Sequence, residues 1–365
     1  MINLDFLPSR QLGWYLTKLF VTRTFAVLVL LVIVLMALDL LGESGKILRV
    51  EGNGEAELWR YVSLRVPLLV QRFLPFSALL GTLIALASLN QNSEVVAMKS
   101  AGLSAHQILA PMLIASIALA GVAFAFNEVV AVDSNRTVTA WSDNDYEPLR
   151  AESGVQSNVW VRSGDDFAQA KLVMGRGSDV RLRHVTVFER EDNRLARIVK
   201  AESAVQAAGG WRLENVSTYD ADMNFARRLP SLDALPGVTP DRFNLAKVRA
   251  DEQDVVELKH SIADLEAAGR PTDEVRAGYW HKFSGPLSVV LMPLLAAIAA
   301  FGLARSGQVL LRAAAGMALG FTYFVVDNLS LALGNAGAYP GWLAAWAPLL
   351  LFFLIGEAIL IRSEE

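Results

Sequence analysis

Four charged residues stand inside or at the ends of apolar runs: Asp39, Arg72, Glu128 and Asp327. An ionised side chain at membrane depth costs about 3 kcal/mol on insertion scales, so such a residue is paired, solvated or functional. Carboxylates converging with an arginine at one depth are the ingredients of a lipid-modifying site, of a headgroup contact, or of an ion pair that locks helices. Nothing beside them supplies a nucleophile, which favours an Arg72-to-carboxylate pair over an enzyme. Gly42-Glu-Ser-Gly45-Lys46 resembles the end of a phosphate-binding loop, but Leu40 stands where the early glycine belongs and Ile47 where Ser or Thr must follow the lysine. His106, His184, His260 and His281 fall in separate segments without metal-ligand spacing. The chain has no cysteine, which excludes disulfides and thiolate sites. An ATP-driven machine built on this chain takes its ATPase from another subunit.

The elements that position these residues are membrane spans. The 365 residues are 53% hydrophobic, and the apolar residues gather at the two ends of the chain, leaving a polar middle. The net charge of -4, with no basic cluster, gives no support for nucleic-acid binding. Arg10, Lys18 and Arg23, with Trp14 and Tyr15, form an interfacial N-terminal helix ahead of a first span over Thr24–Leu38. A mixed-charge loop over Gly42–Arg60 leads through Pro67 and Pro75 to a second span, Phe73–Asn92, and the third is Ile108–Asn127. After the polar insert come Phe283–Ala304, Leu311–Leu333 and Trp342–Ile361. The chain thus divides into residues 1–130, 131–278 and 279–365. With the N-terminus inside, Arg10, Lys18, Arg23, Lys99, Arg305, Arg312 and Arg362 are cytoplasmic, against Lys46, Arg49 and Arg60 outside, as the positive-inside rule prefers.

Between the second and third spans, residues 92–104 read NSEVVAMKSAGLS, a short amphipathic helix on the cytoplasmic face. Ser93 caps it, Glu94 suits its positive end and Gly102 supplies the left-handed residue that ends it. Either it orients its neighbours at the interface or another protein grips it. In the insert, short runs at Asn158–Arg162, Asp166–Val173, Val180–Glu189, Leu195–Ala204 and Trp211–Tyr219 alternate with turn clusters at 164–166, 175–179, 191–193 and 209–210. That texture predicts an antiparallel sandwich or jelly roll, with a bulge near His184 and edges open near Val159 and Trp211. Asp251 then caps a helix carrying Val255, Leu258, Ile262 and Leu265 that ends near Gly269, and Thr272 opens the helix leading into the fourth span.

Ser93-Glu94-Val-Val-Ala-Met98-Lys-Ser-Ala-Gly102 resembles the cytoplasmic coupling segment of the LptF/LptG permeases, the membrane subunits of the lipopolysaccharide exporter. PFSALLG at Pro75–Gly81, Trp280-His-Lys282 followed by Pro286-Leu-Ser-Val289, and YFVVD at Tyr323–Asp327 extend the resemblance over nearly the whole chain, nearer the LptG side of the family. The resemblance implies six transmembrane helices in two groups of three with an inserted periplasmic β-jelly roll, in the inner membrane of a Gram-negative bacterium, both termini cytoplasmic. It implies an LptF-type partner around a lipid cavity, an LptB-type ATPase dimer that holds ATP and Mg, an LptC-type periplasmic protein and no cofactor in this chain. Glu94, Val95, Met98, Ala101 and Gly102 would enter the groove of the ATPase. Where relatives place lysines near the outer end of the first span this chain has Met36, Gly42 and Glu43, with only Lys46 nearby. Lipid phosphate contacts would then fall to Arg72 or to the partner, with Asp39 and Asp327 along the path or pairing helices. A mechanotransmitting ABC subunit and a membrane-embedded lipid-modifying enzyme are the alternatives.

Overall fold

The computed structural model describes residues 8–148, 156–175, 180–191, 194–207, 209–221, 224–240, 243, 248–267, 270–301 and 309–362. The turns at 176–179 and 192–193, Gly269 and Arg305 lie outside the described residues.

Helix α1 (Arg10–Ile47) opens at Ser9, whose hydroxyl accepts the Leu12 N–H, and runs unbroken for 38 residues. The charged lead and the first span are therefore one helix, not an interfacial helix followed by a span. No proline interrupts it, and Thr22 at the junction turns its hydroxyl back to the Lys18 carbonyl at 2.8 Å instead of capping a new helix. The expected loop shrinks from both sides, because α2 (Glu55–Gln91) begins early and continues through Pro67 and Pro75. After α3 (Glu94–Ser100), α4 (Ala105–Phe126) passes through a π-helical turn at Asn127–Ala131 into α5 (Val132–Asp143). The chain returns through a 3-10 turn at Ala250–Glu252, α6 (Val255–Ala267), α7 (Asp273–Phe301), α8 (Val309–Asn335) and α9 (Gly341–Arg362). Asp254, rather than Asp251, caps α6: its carboxylate takes the Glu257 N–H at 2.7 Å while Glu257 reaches back to the Asp254 N–H. Six helical stretches among the described residues are long and apolar enough to cross a membrane.

Glycine lets α1 and α2 approach. A Cβ on Gly81, the last residue of PFSALLG, would lie 2.6 Å from the backbone nitrogen of Thr24, itself fully buried. Small residues at such crossings permit the close packing that membrane helices rely on. Gly81→Ala is expected to destabilise the helical unit by about 1–3 kcal/mol, the usual cost of overpacking. Thermal unfolding in detergent checks this against Gly42→Ala, where nothing lies within 4 Å; equal melting of the two would show that the crossing is not tight.

Between its helical legs α5 and α6, the insert is built on a β-sheet. Strands β1 (Gln156–Ser163), β2 (Asp166–Met174), β3 (Arg181–Glu191), β4 (Arg194–Ala207), β5 (Gly210–Asp220) and β6 (Phe225–Ala234) form one antiparallel sheet, each strand beside its neighbours in sequence. That order is a meander, not the Greek-key order of a jelly roll, because every connection within the sheet is only a few residues long. The sixth strand escapes sequence reading because Arg227, Arg228 and Pro230 interrupt its apolar pattern. Proline there is tolerated because β6 is an edge. The sheet curls: Ser163 at the end of β1 donates to the carbonyl of Pro236 beyond β6, and one core joins Val159 to Trp211, Leu235, Val238 and Phe243. Trp211 lies on the interior strand β5 and marks no edge, whereas Val159 lies on β1, an edge strand in the sheet order, with its side chain buried in the core. The irregularity near His184 is a left-handed residue (φ 49°) in line with Asn215 (φ 53°), which donates to Glu202 at 2.8 Å. The register shift in β3 falls later, at Glu189/Arg190.

Candidate functional site

The charged residues of the spans divide into pairs that sequence distance hides. Asp39 on α1 is clamped from α2 by Arg65, with Nε at 2.9 Å and Nη2 at 3.1 Å, and by the Tyr61 hydroxyl at 2.7 Å. Glu128, in the π-turn, accepts from Lys282 Nζ of α7 at 2.8 Å. Asp327 on α8 faces Nε2 of His281, again on α7, at 3.1 Å. The expected pairing of Arg72 with Asp327 or Asp39 is not formed, because each carboxylate has a nearer partner. Lys46 bonds Glu43, one turn away on an exposed helix face, so it has a local partner already.

Arg72 is left exposed, and it makes no hydrogen bond or ion pair among the described residues. It lines a cavity of about 1320 Å³ between α2, α7 and α8, closed toward the insert by residues just before and after α6. Part of the wall is aromatic: Phe73 and Phe76 from α2 and Phe321 and Phe324 from α8 line it, and Phe76 stacks on Phe324 at 4.1 Å. His281 and Asp327 share this wall, and Arg249 and Arg270 stand at its insert end. Burial alone would lower the Arg249 guanidinium, but Asp251, hydrogen-bonded to it at 3.1 Å, with Glu252 and Asp143 behind, raises it above its usual value and keeps it charged. The lining mixes apolar with polar groups, and among its charged side chains Arg72, Arg249, Arg270 and Lys282 outnumber the carboxylates Asp251, Glu274 and Asp327, a balance that suits an anionic amphiphile.

The base of the insert is fixed to α1, α2 and the loop between them. Tyr146, after α5, donates to Glu43 of α1 at 2.8 Å, and burial together with that bond pushes its phenol up to about 12. Asn53 donates to the Tyr146 carbonyl at 3.0 Å, and the Arg60 guanidinium lies 5.0 Å over the Trp141 ring.

At the opposite end of the spans, α3 is a helix of seven residues, shorter than the sequence pattern promised. Ser93 does not cap it. The turn from α2 is so tight that Ser93 takes a left-handed conformation (φ 61°) and its hydroxyl makes no cap bond, whereas Ser104 builds a capping box with Gln107 for α4. The far end is as expected: Gly102 (φ 90°) donates to Lys99 O and Leu103 to Met98 O, the two bonds of a Schellman motif. Val95 and Met98 are 4% and 8% exposed and seat the turn on the helical core, so neither is presented outward. Val96, 66% exposed, takes the outward apolar place beside Ala101 and Gly102. Glu94 is half-buried and accepts from the Tyr15 hydroxyl at 3.0 and 3.3 Å. His106 and Glu357 join α4 to α9 nearby at 3.2 Å.

Sequence reading misses Arg65, Tyr15 and the separate duties of His281 and Lys282. The only signal for the last pair is their adjacency at the head of an apolar run.

Six helical stretches long and apolar enough to cross a membrane, an inserted β-sheet and a cavity of about 1320 Å³ between the helices define a polytopic membrane protein. The chain belongs to the family of lipopolysaccharide export system permeases LptF/LptG, whose family model matches residues 14–362. It is similar to lipopolysaccharide export system permease protein LptG of Escherichia coli K12, 26% identical over 316 residues, covering 83% of this chain and 85% of the relative. The protein of the same name from Haemophilus influenzae is 26% identical over 337 residues, covering 86% and 89%.

Proposed function

We propose that this chain is the LptG-type subunit of an exporter that extracts lipopolysaccharide, or an equivalent outer-membrane glycolipid, from the inner membrane and passes it to a periplasmic bridge. The cavity is the lipid site, with acyl chains against the phenylalanine wall and an anionic headgroup at Arg72. The insert is periplasmic, while α3 and both termini are cytoplasmic, the arrangement that the lysine and arginine distribution favours. An LptF-type subunit closes the cavity. An LptB-type ATPase dimer, holding ATP and Mg, docks at α3, and an LptC-type protein receives the lipid. The observation that carries this reading is an exposed arginine with no protein partner among the described residues at the mouth of a partly aromatic cavity, in a chain whose family is one of export permeases.

A photoreactive amino acid at Phe321, 61% exposed and lining the cavity, is expected to capture lipopolysaccharide from the native membrane, while the same probe at Val96 captures none. An export-competent Phe321 variant that captures no lipid would place the path elsewhere. Mass spectrometry of the captured adduct names the lipid.

A further inference from the structure

His281 and Lys282 are consecutive but serve different neighbours. His281 meets Asp327 in the cavity wall, whereas Lys282, 7% exposed, turns to Glu128. Glu128 has a second duty. Its other oxygen, Oε2, accepts the backbone N–H of Val255 at 2.7 Å, and Val255 is the first residue of α6, the helix through which the chain returns from the sheet. Asn127 adds a bond to Oε1 at 3.0 Å. One carboxylate thus joins the end of α4, the start of the α7 span and the return helix. It sits in a π-turn, an insertion that re-aims a side chain and recurs at functional positions, and it meets the positive end of the α6 dipole. Other bonds tie the two legs of the insert together: Arg136 pairs with Glu257 and donates to the Glu252 carbonyl at 2.9 Å, and Asn135 donates to the Asp251 carbonyl at 3.0 Å. These link α5 to the return segment and do not reach the α7 span.

We propose that Glu128 is a positioning residue for transport: it holds the insert in one orientation over the cavity, so that lipid leaving the wall formed by His281 and Asp327 meets the sheet in a fixed register. The transport role rests on the reading of the cavity as the lipid path, but the joint itself can be measured without lipid. Val255→Pro isolates it, because proline suits the first position of a helix and removes only the N–H that Glu128 accepts, leaving the buried ion pair intact. The exchange Glu128→Lys with Lys282→Glu keeps an ion pair but sets a cation against the N-terminus of α6.

The chain has no cysteine, so, with any cysteines of the partner subunits replaced, Gln206→Cys on the sheet and Ala336→Cys after α8, both exposed, take spin labels without background. In the purified complex in lipid nanodiscs, the parent should give one narrow distance distribution. Both Val255→Pro and the charge exchange should broaden it and lower lipopolysaccharide release by about tenfold, the scale of coupling residues, with ATP hydrolysis retained. A narrow distribution in Val255→Pro, or broadening with full release, overturns the proposal. Absence of lipid from the parent complex counts against the cavity reading alone, since the distance distributions still decide the joint.

Discussion

Replacing Glu94 with alanine is expected to cost the complex its ATPase: recovery in a pull-down should fall by the equivalent of about 2–5 kcal/mol, the usual loss when one partner of a desolvated charge pair is removed at an interface. The turn that carries Glu94 is firmly built. Buried Val95 and Met98 anchor it, the Schellman bonds at Gly102 close it, and Val96 and Ala101 are left facing outward. Glu94 already accepts from Tyr15, yet a carboxylate has lone pairs for a guanidinium as well. Tyr15→Phe therefore serves as a control, since it frees the carboxylate without removing its charge and should cost far less. Full ATPase recovery and full ATP-driven lipid release with Glu94→Ala would end the assignment. Equal losses from Glu94→Ala and Tyr15→Phe would mean that Glu94 acts by bracing α1 rather than by touching a partner.

The spans are legible because membrane burial demands long apolar runs, and those runs are local properties of sequence. Their ends are not. Helices α1 and α2, and α4 through the π-turn into α5, continue well past the apolar stretch on polar residues with adequate helix propensity, so the loop expected over 42–60 narrows to residues 48–54 and the insert begins on a helical leg. Capping is misread twice for a related reason. Ser93 and Asp251 are chemically suited to cap, but the tight turn after α2 leaves α3 without a side-chain cap, and the 3-10 turn before α6 hands that helix to Asp254. Strand texture gives the β class, while the order of the strands follows from turn lengths, which a jelly-roll expectation overrides. The site is half legible. Asp39, Arg72, Glu128 and Asp327 are visible as charges in apolar surroundings, but partners 26, 46 and 154 residues away are set by how the helices rotate against one another, which composition does not encode.

Those pairings decide what Arg72 is for. Arg72→Glu should abolish most lipid export while the complex still assembles, because Arg72 holds no helix to another among the described residues. A charged hydrogen bond to a phosphate is worth about 1.5–3 kcal/mol, so Arg72→Ala alone should lower lipid capture at Phe321 by roughly 10- to 100-fold. Reversal should be worse, since a carboxylate in place of the guanidinium would repel the same headgroup. Rescue by Asp327→Arg or Asp39→Arg is not expected: the first strips His281 of its partner in the cavity wall, and the second sets two cations, Arg65 and the new arginine, against each other between α1 and α2. Restored export in either double variant would show that the helices move enough in transport to bring Arg72 to that carboxylate, and would make the arginine a lock after all. Normal capture and export in Arg72→Ala would remove the headgroup contact and leave Arg249 and Arg270, at the insert end of the same cavity, as the cations to test next.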